Sequence, residues 1–442
     1  MKKLLVFSAV SAAIALTEAA VTVTGVNARQ RWPWNGLVDV DFTIAGAGAG
    51  DVFTIDLSAE YAGGDKKIAA YTYTTEPIAG NGSHRITWNI GKDYPEFRAE
   101  DLCVSVTATP FSDNTPVYMV IDLSGGKDAA KYPVRYTTTA PAIHDPSENL
   151  AAALADKCRT SELWLRRISA AGILSAQSWR VPADDNTSFW VKLTKDFYIA
   201  IFETTQGQWN RLTGEWPSEF SHETYREVRP VENVSVTNVR GKWAWPEDKT
   251  ITEDCVLKKL RDRTGLATID LPTQAQFVYA ASAGDTGIGK EYYRYRDPSG
   301  AHYAIEEIAR YNANSGHADG LVPDDKSQCD LSLGTACVGS YKPNAFGLYD
   351  MIGNVYDLCL DVYATAANRK AYYSENGGFP VVDPVGVTQA YGQEKNSNFL
   401  RVTTLCGAWF YSSAHASLWQ AVSQDYTKGS AYVGFRLAVT CE

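Results

Sequence analysis

The stretch Lys342-Pro343-Asn344-Ala345-Phe346-Gly347-Leu348-Tyr349-Asp350-Met351-Ile352-Gly353-Asn354-Val355-Tyr356-Asp357-Leu358 packs turn formers, aromatics and two carboxylates into one short segment between Cys337 and Cys359. Proline, glycine and asparagine punctuate it too often for a continuous helix or strand. A segment of this composition builds either a site or a core. Asp350 and Asp357 read equally as turn caps and as oxygen donors, and Tyr349 and Tyr356 read as core.

Working outward, the chain around this stretch reads as one large domain. Phe189 to Phe202 is strand-like and rich in aromatics, residue types that suit a pleated, half-buried surface. A helix is predicted from Thr205 to Leu212, stopped near Gly214, where glycine accepts the left-handed cap. A second helix opens at Leu271-Pro272-Thr273-Gln274-Ala275-Gln276-Phe277, with Thr273 and Gln276 at capping-box spacing and Phe277, Ala280 and Ala281 as the buried stripe. Beyond Gly284 helical periodicity fades, so irregular loops are expected, tied by cysteines, bound ions or both.

Towards the N-terminus the pattern changes to short alternating runs, Val38–Ile44, Phe53–Leu57, Arg85–Ile90 and Cys103–Ala108, separated by glycine, asparagine and proline. Period two with turn residues between the runs predicts a β-sandwich. Arg29-Gln30-Arg31-Trp32-Pro33-Trp34 reads either as an exposed aromatic patch or as a strand-edge plug. Gly125-Gly126 and Thr137 to Ala142 look like a boundary, and Glu148 to Ile168 leans towards helix. The first residues, Met1-Lys2-Lys3 followed by an apolar run to Leu16 with small residues at Thr17 and Ala19, read as a secretory signal, too short to span a bilayer. The expected organisation is a signal peptide over 1–19, an Ig-like β-sandwich over 20–140, a linker over 141–160 and a loop-rich α+β domain over 161–442.

A formal charge of -10 argues against nucleic acid and anionic lipid as partners, because such binding is dominated by cationic contacts to phosphates. No segment after the leader has the length of a transmembrane helix. Eight cysteines in an exported chain read first as disulfide candidates, and the absence of any CxxC pair disfavours a zinc ribbon or a thioredoxin motif.

Five ordered segments resemble the formylglycine-generating (sulfatase-modifying factor) family. The opening stretch is similar to that family's "PPNAYGLYDMxGNVWEW". Asp196 to Trp209 resembles "FYIGKYEVTxAQW", Arg229 to Ser235 resembles "xPVxNVSW", and Leu271 to Ala281 resembles "LPTEAEWEYAA". Gly434-Phe435-Arg436-Leu437-Ala438 closes the match, which spans roughly Ser161 to Cys441. The resemblance implies a variant C-type-lectin-like fold, loop-rich and α+β, whose two ends lie close together.

It also implies chemistry, and here the residues depart from the pattern. The family's oxidases carry two copper-binding cysteines after "GSW"; aligned on Gly407-Ala408-Trp409, those positions hold Tyr411 and Ala416. Neither a phenol nor a methyl group replaces the soft thiolate that holds Cu(I), so copper is not expected. Cys406 comes too early in the segment. Related enzymes use a three-histidine iron site, but the six histidines here are scattered. Calcium is the better-supported ion: the resemblance assigns its ligands to Asp350, Gly353, Val355 and Asp357, with aspartate at 357 shorter than the family's glutamate, and such oxygen donors suit Ca²⁺. The family fold also brings Cys359 opposite Cys406, with Cys329–Cys337 and Cys158–Cys441 as further candidate disulfides.

Between Trp409 and Gly434 the family's Cys-Arg-x-Ala-x-Arg framework is replaced, whereas both flanks stay on pattern. The replacement is rich in aromatics and hydroxyls, the composition of binding loops, and Tyr411, Ser413, His415 and Trp419 are the candidate ligand-binding residues. Neutral drift of a site without a task is the alternative. The expectation is a secreted, periplasmic or cell-envelope protein that binds a protein or glycan and does not generate formylglycine. A copper oxidase with a rearranged site and a structural envelope protein remain open alternatives.

Overall fold

A computed structural model describes residues 21–31, 35–47, 52–70, 73, 78–94, 97–111, 117–170, 179–180, 189–251, 254–283, 303–417 and 420–441. The signal segment, Trp32 to Trp34 and Trp419 lie outside them. The protein is of mixed α/β composition, and the chain divides into two compact units, one built mainly from residues up to Thr115 and the other from Pro116–Ile168, Arg180–Val191 and Lys195–Glu442.

In the first unit, each run predicted from alternation forms a strand. Leu37–Ala45 is flanked by Thr22–Gln30 and Gly82–Asn89 in an antiparallel sheet, while Val52–Tyr61 pairs antiparallel with Lys66–Ala69, Ile78–Ala79 and Cys103–Phe111 in a second. Val38 lies opposite Trp88 and Val40 opposite Ile86, and these buried pairs share one apolar cluster with Phe53, Ile55, Leu57 and Val106. Cross-strand pairs of this kind are what stabilise a sheet. Gly25, at φ 65°, sits in the bulge between Thr24 and Asn27.

The boundary expected at 140 falls earlier. Tyr118–Asp122 and Val134–Thr137 belong to the second unit, in a six-stranded sheet ordered Ile269–Asp270, Ala438–Thr440, Phe197–Ala200, Glu162–Ile168, Tyr118–Asp122, Val134–Thr137. The pairing of Ala438–Thr440 with Phe197–Ala200 sets the C-terminal strand inside this sheet. The segment 141–160 is no linker: it carries helices Leu150–Ala155 and Lys157–Thr160 and buries Arg159 completely. Glu162–Ile168, expected to lean towards helix, is a strand with Leu163, Leu165 and Ile168 buried, because its pairing with two neighbours outweighs local propensity.

Helices Gln206–Thr213 and Gln274–Ala281 form as their caps dictate. Gln208 N donates to Thr205 Oγ1 at 3.1 Å and Thr205 N to Gln208 Oε1 at 2.9 Å; Thr273 and Gln276 repeat the exchange. Gly214 closes the first helix at φ 84°. A second sheet, ordered Ala421–Asp425, Arg401–Leu405, Tyr356–Val362, Val433–Gly434, holds the C-terminal end of the hallmark stretch as a fully buried strand.

The loops are tied neither by disulfides nor by sheet ladders. Among the described residues no disulfide is formed, so the expected pairs Cys359–Cys406, Cys329–Cys337 and Cys158–Cys441 are not made. Cys158 donates instead to Ala142 O and Cys337 to Val338 O. Buried guanidinium groups take the tying role. Arg229 donates to Thr335 Oγ1 at 2.8 Å, to Cys329 O at 3.1 Å, and to Asp330 O and Thr335 O. Arg310 holds Gly334 O at 2.8 Å together with Ser332 O and Asn314 O. Arg159 holds Val338 O and His144 O, both at 2.8 Å. Gly334 could not be larger, because a Cβ there would meet the Phe220 ring at 1.9 Å.

Two outcomes follow. Arg229→Met keeps bulk but orphans several carbonyls; at roughly 1–3 kcal/mol for each buried unsatisfied group, the variant is expected to lose on the order of 3 kcal/mol in denaturant unfolding, and wild-type stability would refute the tie. Glu232 is fully buried, accepts from Phe220 N at 3.0 Å and leaves Oε2 without a partner. Burial pushes its carboxyl up from 4.5 to about 8. The folded state therefore binds this proton more tightly than the unfolded state, so the stability it contributes is full below 4.5 and is lost as pH rises towards 8. Across that window the wild type should lose up to about 1.4 kcal/mol per pH unit relative to Glu232→Gln; parallel stability–pH curves would contradict this.

Candidate functional site

The hallmark loop is shaped by its own side chains. Asn344 donates to Ala280 O at 2.7 Å and Ala281 O at 3.2 Å, satisfying carbonyls at the end of helix Gln274–Ala281, and accepts from Phe346 N and Leu348 N. Asp350, Gly353 and Asn354 all lie in the left-handed region, at φ 51°, 81° and 56°. A Cβ at Gly353 would meet Arg310 O at 2.4 Å, so only glycine fits there. Asn354 donates through Nδ2 to Glu203 Oε2 at 2.8 Å and accepts from Ala336 N at 2.8 Å. Val355 N donates to Glu203 Oε1 at 3.2 Å.

Beneath this loop three buried carboxylates, Glu203, Asp350 and Asp357, surround one buried guanidinium, Arg436. Arg436 Nε donates to Asp357 Oδ2 at 3.0 Å, Nη2 to Asp350 O at 2.8 Å and Nη1 to Tyr349 O at 3.1 Å. Asp350 Oδ2 accepts from Gly339 N at 2.6 Å. Burial raises all three carboxyls above their ordinary range, and at Glu203 the charges of Asp350 and Asp357 add to it.

Asp350 Oδ1 and Asp357 Oδ1 are buried without a hydrogen-bond partner. Peptide geometry keeps the neighbouring carbonyls apart from the loop's own bonds: Asn354 N donates to Arg310 O and Tyr356 N to Tyr432 O, so the carbonyls of Gly353 and Val355 point away from those acceptors. Two unpartnered carboxylate oxygens, two carbonyls and an excess of negative charge fit a hard cation. Among the described residues no three His, Cys, Asp or Glu side chains converge as a metal-holding group. A cation here would therefore rest on Asp350, Asp357 and the carbonyls of Gly353 and Val355.

The segment after Gly407 forms a separate aromatic cluster. Trp409 is anchored by Nε1 donating to Ala431 O at 2.8 Å and by its N donating to Asn354 O at 2.8 Å, which fastens this segment to the hallmark loop. Phe410 lies between the rings of His317, centroids 4.1 Å apart and 33° inclined, and Tyr432, 5.8 Å and 31°. Tyr411 meets Tyr432 at 5.4 Å and 89°, Tyr356 at 5.4 Å and His415 at 5.1 Å. Burial and Tyr432 push the Tyr411 hydroxyl up to about 12, so it stays protonated at neutral pH. These rings pack on one another, and exposure is found at Phe410, at 38%, and at Ser412 and Ser413 of the turn.

The structure thus unites Tyr411 with His415 and sets Ser413 in the same turn, while Trp419 lies outside the described residues. Ala416 is buried, and a Cβ on Gly407 would meet Ala416 Cα at 2.9 Å. Cys406 and Cys359 are buried completely, and burial holds both thiols well above their ordinary range, in the inert protonated form. Sequence reasoning missed Glu203, Asn354 and Arg436 as members of the cluster, although each stands inside a quoted motif. It also missed His317, which lies far from any motif and offered no signal.

Comparison with known proteins places the chain in a family. The family model described as "Sulfatase-modifying factor enzyme 1-like domain" matches residues 176–441. The chain is 30% identical over 189 residues to "Chaperone protein LppX" of Paenibacillus barcinonensis, covering 37% of this chain and 61% of that one. It is 34% identical over 116 residues to the formylglycine-generating enzyme of Streptomyces coelicolor, covering 26% and 31%. The chain therefore spans less than two thirds of the length of either relative. Among solved structures, "Treponema denticola variable protein 1" matches at 21% identity and a TM-score of 0.41, over 63% of this chain and 95% of that one. PvdO from Pseudomonas aeruginosa matches at 19% and 0.37, over 62% and 91%. The family match covers more than half of the chain, and the chain belongs to the family of the sulfatase-modifying factor enzyme 1-like domain.

Proposed function

We propose that this chain is an exported binding protein on an enzyme-family scaffold, and that it does not generate formylglycine. The observation that carries this reading is the content of the two positions where the family resemblance requires copper-binding thiols: a half-buried phenol, Tyr411, packed against four aromatic neighbours, and a buried methyl, Ala416. The nearest thiol, Cys406, is fully buried beside Asp357 and Arg436. Holding Cu(I) takes thiolates free to reach a common point, and inert buried thiols do not supply them.

The ligand on this reading is a protein or glycan met by the outward edge of the aromatic cluster, Phe410, Tyr411 and His415, with the exposed hydroxyls of Ser412 and Ser413 beside it. Rigid rings locked by their neighbours lose little entropy on contact, which favours binding over drift. The first unit's two sheets serve as an Ig-like sandwich that spaces or displays this domain. Export rests on the Lys2-Lys3 start and the short apolar run that follows. Among the described residues no helix is long and apolar enough to cross a membrane.

Calcium at the hallmark loop belongs to the same reading as a structural ion. It would compensate the excess negative charge beneath the loop and stabilise the folded state by mass action.

The functional expectation is tested by incubating copper-loaded protein with a sulfatase-type cysteine peptide under oxygen and reading the peptide mass. No aldehyde should form, whereas conversion abolished by Cys406→Ala would restore an oxidase. The ion is tested separately by thermal melts in calcium and in chelator: calcium should raise the melting temperature of the wild type and leave that of Asp350→Ala unmoved. Identical wild-type melts in the two conditions would remove the ion from the account.

A further inference from the structure

We infer that Glu203 is the positioning residue of the hallmark loop's cation site and sets its preference for a divalent ion. This rests on the reading of that loop as a cation site and extends it to a residue outside the proposed ligand set. Glu203 enters from a distant part of the chain, just beyond strand Phe197–Ala200, and its side chain is completely buried. Both of its oxygens are spent on the loop, Oε1 accepting from Val355 N and Oε2 from Asn354 Nδ2.

Those two bonds fix the segment from which the carbonyls of Gly353 and Val355 must be presented. Asn354 sits at φ 56°, a conformation that asparagine adopts more readily than most residues and that contact on both sides supports here. The support comes from Glu203 on one side and Ala336 N on the other. Glu203 therefore acts on the ion through the backbone it clamps.

Charge gives the second half of the inference. Counted in their ionised forms, the three carboxylates and the guanidinium of Arg436 carry a formal charge of -2, Arg159 nearby being paired with Asp156, and a divalent cation neutralises that charge where a monovalent cation does not. In a fully buried cluster an uncompensated charge is costly, so the count of carboxylates selects the valence of the ion. Glutamine at 203 keeps the volume and an acceptor for Val355 N and removes one charge.

The test uses the full chain and terbium as the probe, its luminescence sensitised by Tyr349 and Tyr356, which adjoin Asp350 and Asp357 in sequence, with calcium and sodium as competitors. In wild type calcium should displace terbium and sodium should not. Glu203→Gln should weaken calcium by roughly 10- to 100-fold, the usual loss for an outer-shell partner, and narrow the gap between calcium and sodium. Glu203→Asp, which restores the charge on a shorter arm, should recover the calcium preference in part. A residue with only a structural role would lower the melting temperature in chelator and leave the calcium midpoint of the folded protein unchanged. An unchanged midpoint in Glu203→Gln overturns the inference while leaving the ion in place. Absence of terbium binding to the wild type overturns both.

Discussion

Guanidinium groups without access to water hold the second unit together. Arg159, Arg229 and Arg436 are fully buried and Arg310 nearly so, and each collects main-chain carbonyls from loops distant in sequence. An irregular loop has no ladder to satisfy its carbonyls, and a buried carbonyl left alone costs stability. A guanidinium offers five donors in a rigid fork, so one side chain can answer several such carbonyls at once. The same group is costly to desolvate and must find partners on every side. That requirement makes the tie specific: loops 329–335 and 350–357 have to close around Arg229 and Arg436 in one arrangement.

The cluster under the hallmark loop is the extreme case. Arg436 meets one carboxylate directly and three carbonyls, yet Glu203 and Asp350 crowd the same volume. The sign of the local charge, and not the number of hydrogen bonds, is what remains to be balanced there. It lies beneath a stretch with three left-handed backbone positions within five residues, at Asp350, Gly353 and Asn354. Strain at such positions persists only where surrounding contacts over-determine it, and here Glu203, Arg310 and Trp409 all bond to the same short loop.

On the proposed reading, scaffold and chemistry have separated in this chain. The ties that shape the fold, Asn344, Asn354, Glu203 and Arg436, stand inside the motif segments, while Tyr411 and Ala416 stand where the family resemblance places the copper-binding thiols. Function belongs to the site and not to the scaffold. The aromatic cluster around Tyr411 packs ring against ring, which stiffens the exposed position of Phe410.

The sequence alone determined the elements whose cause is local. Period-two runs became the strands of the first unit, because alternation states which face is buried whatever the partner. Thr205, Thr273 and Gly214 marked the two helices because caps act within one turn. The motifs identified the family over the second half of the chain. What only the tertiary structure decided depends on groups far apart in sequence: that strands Tyr118–Asp122 and Val134–Thr137 join the second unit, that buried arginines rather than disulfides tie the loops, and that Glu203 meets Asp350, Asp357 and Arg436 in one buried cluster. Each of these is a balance between the desolvation of a polar group and the partners supplied by remote segments. No local pattern records that balance, because it exists only once the chain has closed.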